Sequence, residues 1–283
     1  MKPGVYREMS FADYRAIYAV NVSSLLPLLV SPWHYLHRLE TPQADTAAMA
    51  LGRAAHTMVL EPHKFEDEYL TYDGTSRKNK GYVALAQSSN STVLLSREVA
   101  KVRKIAEAVA ASSTAQQQLD NEGDAEVTIV WEWGGSGGTL CKGRIDFAHE
   151  ESLVDLKTTR NIDPRSFSRD CGTLHYHVKA AWYREGWRAC TGMTLPFHIV
   201  AVENSCPFDV AVFNLSQRAM QSGLVTCERL LTQLREARRT KRYPGVSSGK
   251  VLELDVPDWA MESEAADLIT IGGKPLFGNI GES

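Results

Sequence analysis

The amino-acid sequence predicts an α/β protein in which helices flank a mixed central β-sheet. Its 283 residues are 43% hydrophobic and 23% charged, which is typical of a globular protein with a substantial core. Helical patterns occur up to residue 111, and alternation of apolar and polar residues begins at Ala125. The order of helices, a three-strand meander, a helix, two strands and a long helix indicates a layered architecture with a mixed sheet.

The first part of the chain is predicted to be helical. Turn and cap signals within residues 1–45 predict short helices joined by tight turns. Ala47 to Leu60 is predicted as a longer helix that Glu61-Pro62 ends, and Glu98 to Ala111 as a second one. The polar, basic segment 73–81 between them predicts a mobile loop.

The strands come next along the chain. Alternation over 126–131 and 139–147, on either side of a glycine-rich turn at 134–138, predicts a hairpin. Residues 152–158 (SLVDLKT) form the predicted third strand. The remaining predicted elements are a helix over 176–190, strands over 197–202 and 210–215, and a helix over 217–239.

Composition argues against several classes of protein. No run of about 18 apolar residues occurs, so we expect neither a membrane span nor a secretory signal, and a cytoplasmic protein without a membrane partner. The five cysteines are widely spaced and odd in number, which argues against a disulfide framework or a zinc site and predicts buried free thiols. A formal net charge of -3 means that nucleic acid would have to bind to a local basic surface.

Three charged residues on neighbouring predicted strands indicate a metal site. Alternation puts Asp155 and Lys157 on one face of their strand, while Val154 and Leu156 enter the core. Asp146 ends the preceding strand, and a short turn would lay it beside Asp155. Two adjacent carboxylates repel each other unless a divalent cation lies between them, and oxygen ligands suit Mg²⁺, for which Mn²⁺ can substitute.

Such a site would hydrolyse phosphodiesters. The cation would lower the pKa of the attacking water and polarise the phosphoryl oxygen, while Lys157 would orient or help to deprotonate the water. The alternative is that Asp155 and Lys157 form a solvated pair on an exposed strand, which is the common meaning of an isolated D-x-K.

Longer segments around these residues resemble the PD-(D/E)xK nuclease core. Residues 141–146 (CKGRID) and 153–159 (LVDLKTT) resemble its two acidic motifs. Residues 52–56 (GRAAH) resemble the G-x-x-x-H helix of the branch that contains exonuclease VIII and RecB-like nucleases. Further similar stretches occur in the same order, so that the resemblance extends over about residues 20–260; they are 31–35, 77–81, 126–128 and 176–183.

The resemblance implies a restriction-endonuclease-like fold and a set of site residues. The implied metal ligands are His56, Asp146, Asp155 and the carbonyl of Leu156, with Lys157 as the catalytic lysine. Glu126 is an expected accessory catalytic residue that binds or positions a second cation or its water, with a solvent-facing edge carboxylate as an equal alternative. We expect a single domain over 1–283, with a nuclease core at about 47–215 and a helical N-terminal segment and a C-terminal helix and tail packed on it.

The activity that the resemblance implies is a Mg²⁺-dependent exodeoxyribonuclease that degrades linear double-stranded DNA from 5′ to 3′ in homologous recombination. Such enzymes tend to form homo-oligomeric rings around DNA and to work with a single-strand annealing protein, often in a phage. One alternative is a structure-specific or sequence-specific endonuclease, because the same fold serves both. Another is a catalytically impaired DNA-binding protein.

Lys179 keeps the impaired alternative open, because the family has a glutamine at this position in a Q-x-x-x-Y pattern. Tyr176, Lys179 and Tyr183 share one helix face, so Lys179 should still point towards the active site. There a lysine can pair with substrate phosphate, or it can compete with the cation for the carboxylates.

DNA is expected to contact basic loops and the surroundings of the metal. The predicted DNA-binding residues are Arg53, Arg77, Lys78, Lys80, Lys179 and Tyr183. A basic run at the end of the last helix (235–242) is better explained by cations complementing the helix dipole. We see no sequence-reading motif, so binding should be independent of DNA sequence.

Overall fold

A computed structural model of the chain describes residues 1–41, 46–119, 122–257, 260–261, 270–271 and 274–275. The strands are β1 (Gly4–Tyr6), β2 (Tyr69–Tyr72), β3 (Thr92–Leu95), β4 (Asp124–Trp133), β5 (Thr139–Ala148), β6 (Leu153–Thr159), β7 (Phe197–Glu203), β8 (Val210–Asn214), β9 (Thr270–Ile271) and β10 (Lys274–Pro275). The helices are α1 (Phe11–Ala16), α2 (Val22–Leu25), α3 (Pro32–Glu40), α4 (Ala47–Leu60), α5 (Phe65–Glu68), α6 (Lys80–Ser88), α7 (Ser96–Ala111), α8 (Ser113–Gln116), α9 (Pro164–Thr173), α10 (Tyr176–Thr191) and α11 (Gln217–Thr240).

Six strands form the central sheet in the order β1-β4-β5-β6-β7-β8. The hairpin β4-β5 and the following strand β6 are antiparallel neighbours, as the sequence predicted. β6 and β7 run parallel, and the chain crosses between them through α9 and α10. β8 returns antiparallel to β7, which confirms the predicted mixed sheet.

Helices cover both faces of the sheet. One core joins inward residues of β4 and β5, such as Ile129 and Ile145, to Trp182 of α10 and Leu230 of α11. The opposite core joins Val154 and Leu156 of β6 to α4, α7 and α8. Burial of each large apolar side chain contributes about 1.5–3 kcal/mol, so the two cores fix β6 firmly between the layers.

The first unit of the structure, Met1–Val246, contains the whole predicted core of 47–215, and a second unit spans Ser247–Ser283. Most of the predicted tail beyond residue 257 lies outside the described residues. The arrangement of the whole chain as one domain therefore stays a prediction. None of the helices in the described ranges is long and apolar enough to cross a membrane.

Several elements differ from the sequence prediction. The three-residue strand β1, the parallel pair β2-β3 and the helix α9 were not predicted. The loop expected over 73–81 is shorter, because α6 begins at Lys80. The loop is also anchored to α7 rather than loose, since Arg97 donates to the Thr75 carbonyl over 2.8 Å.

The five cysteines are free thiols, as expected, but only two of them are fully buried. Cys141 and Cys227 are buried, and Cys206 is exposed.

Candidate active site

The acidic residues meet at the point where β5 and β6 separate, which we call the fork. The two strands pair only through Phe147 with Val154 and Ala148 with Leu153. Asp146 and Asp155 are the next residues on each strand, so both carboxylates lie at the fork. There the side chain of Asp146 accepts a 2.9 Å hydrogen bond from the N–H of Leu156. A side-chain carboxylate thus takes the place of a backbone carbonyl as the hydrogen-bond acceptor, and the two strands part around a polar cleft.

Lys157 lies in this cleft beside both carboxylates. Its Nζ is 2.6 Å from Asp155 Oδ2 and 3.7 Å from Asp146 Oδ2, and it donates to the Leu156 carbonyl over 3.2 Å. The side chains of Lys157 and Asp155 are only 18% and 8% exposed. This is not the solvated pair of the alternative interpretation.

Burial and neighbouring charges perturb all three groups. Burial raises the pKa of Asp155 to about 6, although Lys157 opposes the shift. Burial also pushes the pKa of Asp146 upward, but Lys157, His56, the Leu156 N–H and a hydrogen bond with Asp155 together hold it below its usual value. The pKa of Lys157 is raised, because the two carboxylates outweigh the effect of its burial. The lysine is therefore a fixed positive charge.

His56 reaches the fork from α4, which packs against β5 and β6. Its Nδ1 is 3.4 Å from Asp146 Oδ2. Burial lowers the pKa of His56, although Asp146 opposes the shift. A neutral imidazole is the form that binds metals.

Glu126 approaches Asp146 from the neighbouring strand β4. Its φ of 55° is left-handed, which is uncommon for a residue other than glycine and is typical of strained functional positions. Burial, with Asp146 as the next influence, raises its pKa to about 7. Its side chain is only 23% exposed and is paired with Arg144, so the carboxylate is not a solvent-facing edge group.

Arg144 holds Glu126 and was not predicted as a site residue. Its Nε donates to Glu126 Oε2 over 2.5 Å, and Nη1 donates to the Met9 carbonyl and to Thr128. The sequence did indicate that Arg144 lies at the site, because Arg144 and Asp146 are two residues apart on one strand and so share a face.

These donors suit a divalent cation. Ligand atoms of His56, Glu126 and Asp146 lie within 4.8 Å of one another, and within the described ranges no other group of three such residues does. One imidazole nitrogen among carboxylate oxygens fits Mg²⁺ or Mn²⁺ better than a soft metal. Asp155 and the Leu156 carbonyl, also predicted as ligands, lie beside this group and are held by Lys157.

Lys179 and Tyr176 border the fork from α10. The Lys179 and Lys157 ammonium groups lie 5.4 and 5.6 Å from the centre of the Tyr176 ring. Burial, followed by Lys157, lowers the pKa of Lys179, and Asp155 and Asp146 oppose the shift. Lys179 thus faces the acidic residues at the fork, on the side of α10 that the sequence predicted.

The other predicted DNA-binding residues occupy varied surroundings. The Tyr183 ring stacks on Phe197 and packs so closely on Gly143 that a Cβ there would lie 2.9 Å from the ring, which favours a structural role. Arg53 is exposed on α4, one turn before His56. Arg77 is paired with Glu98 over 3.0 Å.

Lys78 and Lys80 are exposed beside Arg77. DNA binding by the six predicted residues stays a prediction; they are Arg53, Arg77, Lys78, Lys80, Lys179 and Tyr183. Two arginines of the basic run at the end of α11 bond to the rest of the protein, since Arg235 donates to Thr139 and to the Trp133 carbonyl, and Arg238 donates to Tyr35.

The family model for a PDDEXK-like domain of unknown function (DUF3799) matches residues 21–253. The chain belongs to this family. This PDDEXK-like membership places the chain in the PD-(D/E)xK nuclease superfamily. None of the curated proteins matches it significantly in sequence.

One solved structure agrees with a restriction-endonuclease-like fold. A crystal structure named "Putative exonuclease", from Eubacterium rectale, is similar with a TM-score of 0.62 and 14% identity, covering 88% of this chain and 96% of that chain. At that identity the similarity shows the fold alone. The structure of SSO0001 aligns with a TM-score of 0.29 and 14% identity over 64% of this chain and 85% of that chain, which is too low to support an argument.

Proposed function

We propose that this PDDEXK-like protein is a Mg²⁺-dependent exodeoxyribonuclease that degrades linear double-stranded DNA, with Mn²⁺ able to replace Mg²⁺. The observation that carries the proposal is the meeting of Asp146, Asp155 and Lys157 at the fork of β5 and β6. A buried carboxylate, a second that is only 16% exposed and a lysine at one point are costly to folding, and a catalytic role explains their presence.

His56, Glu126 and Asp146 would hold the cation, together with Asp155 and the Leu156 carbonyl as the motifs imply. When bound, the cation would supply a Lewis acid for the phosphoryl oxygen and a lowered pKa for water. The residues themselves fit this task, because the neutral His56 offers a lone pair and the pKa of Asp146 is held low.

Lys157 would act directly on the substrate. Asp155 and the Leu156 carbonyl fix its ammonium at the fork, so that its remaining N–H can donate to a phosphate oxygen or orient the attacking water. Because its pKa is raised, we assign it electrostatic stabilisation of the pentacovalent transition state rather than proton abstraction.

Arg53, Lys78, Lys80 and Lys179 would contact phosphates, and Arg77 would do so on release from Glu98. These contacts read no base, so cleavage should not depend on DNA sequence. The choice of an exonuclease acting from 5′ ends is supported by the exonuclease VIII motifs. The name of the Eubacterium rectale structure is consistent with an exonuclease.

The biological setting follows from the same resemblance. We propose a role in homologous recombination, often in phages, with a homo-oligomeric ring around DNA and a single-strand annealing protein as partner. Light scattering of the purified protein tests the ring, because a monomer with or without DNA would contradict it.

Incubation with closed circular and linear duplex DNA in Mg²⁺ tests the activity. An exonuclease degrades only the linear form. Cutting of the circle would identify an endonuclease, and intact DNA of both forms despite binding would identify a binding protein. Asp146→Asn serves as the matched control, since it keeps the shape of the side chain and removes its charge.

A further inference from the structure

We propose that the centre works with a single divalent cation, and that the ammonium of Lys179 supplies the second positive charge beside the scissile phosphate. The inference rests on the proposed nuclease function and specifies its chemistry. Enzymes that cleave phosphodiesters with two metals hold the ions about 3.5–4 Å apart between shared carboxylates. Here the two sides of the acidic centre are unlike.

One side of Asp146 is built for a cation. His56 and Glu126 each bring a ligand atom within 4.8 Å of the Asp146 carboxylate and of each other. Glu126 therefore belongs to the same group as His56 and is not set apart for a second ion. Arg144 Nε donates a 2.5 Å hydrogen bond to Glu126 Oε2, so this oxygen is already engaged and the carboxylate is poorly suited to serve a second cation as well.

The other side of the centre already holds positive charge. The Asp155 carboxylate is 2.6 Å from the Lys157 ammonium. Lys179 lies beyond it, and the Tyr176 ring contacts both lysines at 5.4 and 5.6 Å from its centre. Lys157 is also 3.7 Å from Asp146, so protein ammonium groups already balance the charge of the carboxylates here. A second divalent cation beside Asp155 would meet both lysines, which disfavours a second Mg²⁺ site.

Lys179 is also free to act on a substrate. Within the described part of the chain its ammonium donates no hydrogen bond and lies within 4.0 Å of no carboxylate, although Asp155 and Asp146 influence it electrostatically. Its three donors are thus available to an anion at the fork. A phosphate oxygen is the anion that a nuclease brings there, and a lysine binds it as a point charge, as a metal ion would.

The test counts bound cations and does not depend on DNA cleavage. Mn²⁺ is titrated onto the full-length protein without DNA, and free Mn²⁺ is measured by electron paramagnetic resonance. We expect one tight Mn²⁺ per chain in the wild type and in Lys179→Gln, with equal or tighter affinity in the variant because a neighbouring cation has gone. Two tight ions in the wild type, or weaker binding in Lys179→Gln, would overturn the proposal.

Single-turnover cleavage of linear duplex DNA in Mg²⁺ tests the role of the charge. Lys179→Gln should lower the rate by roughly 10- to 100-fold, the effect of losing one charge-assisted hydrogen bond in the transition state. Lys179→Arg should retain most of the rate, and Lys104→Gln, at an exposed position on α7 beside the Phe208 ring, controls for the loss of one positive charge.

A rate for Lys179→Gln equal to or above that of the wild type would refute this role and mark Lys179 as a competitor of the cation. Circular dichroism verifies that each variant is folded. Failure of the wild type to cleave would instead reject the nuclease function itself, so the two failures are distinct.

Discussion

The ion pair between Arg144 and Glu126 allows the architecture of the site to be tested through stability. Arg144→Met keeps the apolar stem and removes the guanidinium, which leaves the Glu126 carboxylate without the donor at 2.5 Å. The two side chains are only 12% and 23% exposed, so water replaces the lost interaction poorly. Removal of one partner from a buried pair costs about 3–5 kcal/mol. Partial exposure, and the raised pKa that lets Glu126 take up a proton once the guanidinium has gone, put the cost at or below the lower end, at about 2–3 kcal/mol.

A double-mutant cycle separates the pair from general damage. Glu126→Gln in the Arg144→Met background removes the carboxyl group that has lost its partner and should recover roughly 1–2 kcal/mol of the loss, which is within the usual range of coupling between contacting residues. Urea unfolding of the metal-free protein, followed by circular dichroism, measures each free energy of unfolding.

Arg239→Met provides the matched control. It breaks a similarly short arginine–glutamate pair with Glu236, but these side chains are 72% and 58% exposed. Its unfolding midpoint should therefore be almost unchanged. Two results would contradict this role of the pair. One is a free energy of unfolding for Arg144→Met as high as that of Arg239→Met, and the other is no recovery of stability when Glu126→Gln is added to Arg144→Met.

Three further predictions concern the fork. Asp155→Ala should abolish cleavage while DNA binding largely survives in a filter-binding assay, and retained hydrolysis would remove Asp155 from the mechanism. His56→Ala should weaken Mn²⁺ binding by at least roughly tenfold, measured by calorimetry, and an unchanged affinity would exclude it as a ligand. Gly143→Ala should destabilise the protein by about 1–3 kcal/mol, because the new Cβ would lie 2.9 Å from the Tyr183 ring, whereas Gly172→Ala, with open space around it, should be neutral or stabilising.

Local patterns in the sequence were enough to predict the central strands and the orientation of the acidic motif. Alternation put Asp155 and Lys157 on one face and Val154 and Leu156 in the core, and the structure has both. Helix α4 has its predicted bounds, because Thr46 caps its first turn and Glu61-Pro62 ends it. Periodicity and capping are properties of adjacent residues, so one sequence reveals them.

Features that depend on distant pairing were missed. The three residues of β1 are too few to show a period, and their pairing with β4 is non-local. The bond between Arg144 and Glu126 depends on the register of β4 against β5, and it is completed by the Met9 carbonyl from far along the chain. Equally, a sequence does not show that β5 and β6 part at Asp146, since the length of a ladder is decided by the packing of whole layers.

The most direct test of the central claim is the hydrolysis of a linear duplex labelled at one 5′ end, under single-turnover conditions, by the wild type and by Asp146→Asn. We predict that the wild type releases the label as a mononucleotide at the first step in Mg²⁺, and that neither EDTA-treated wild type nor the folded variant releases it. A wild-type protein that binds this DNA but leaves it intact in both Mg²⁺ and Mn²⁺ would contradict the account.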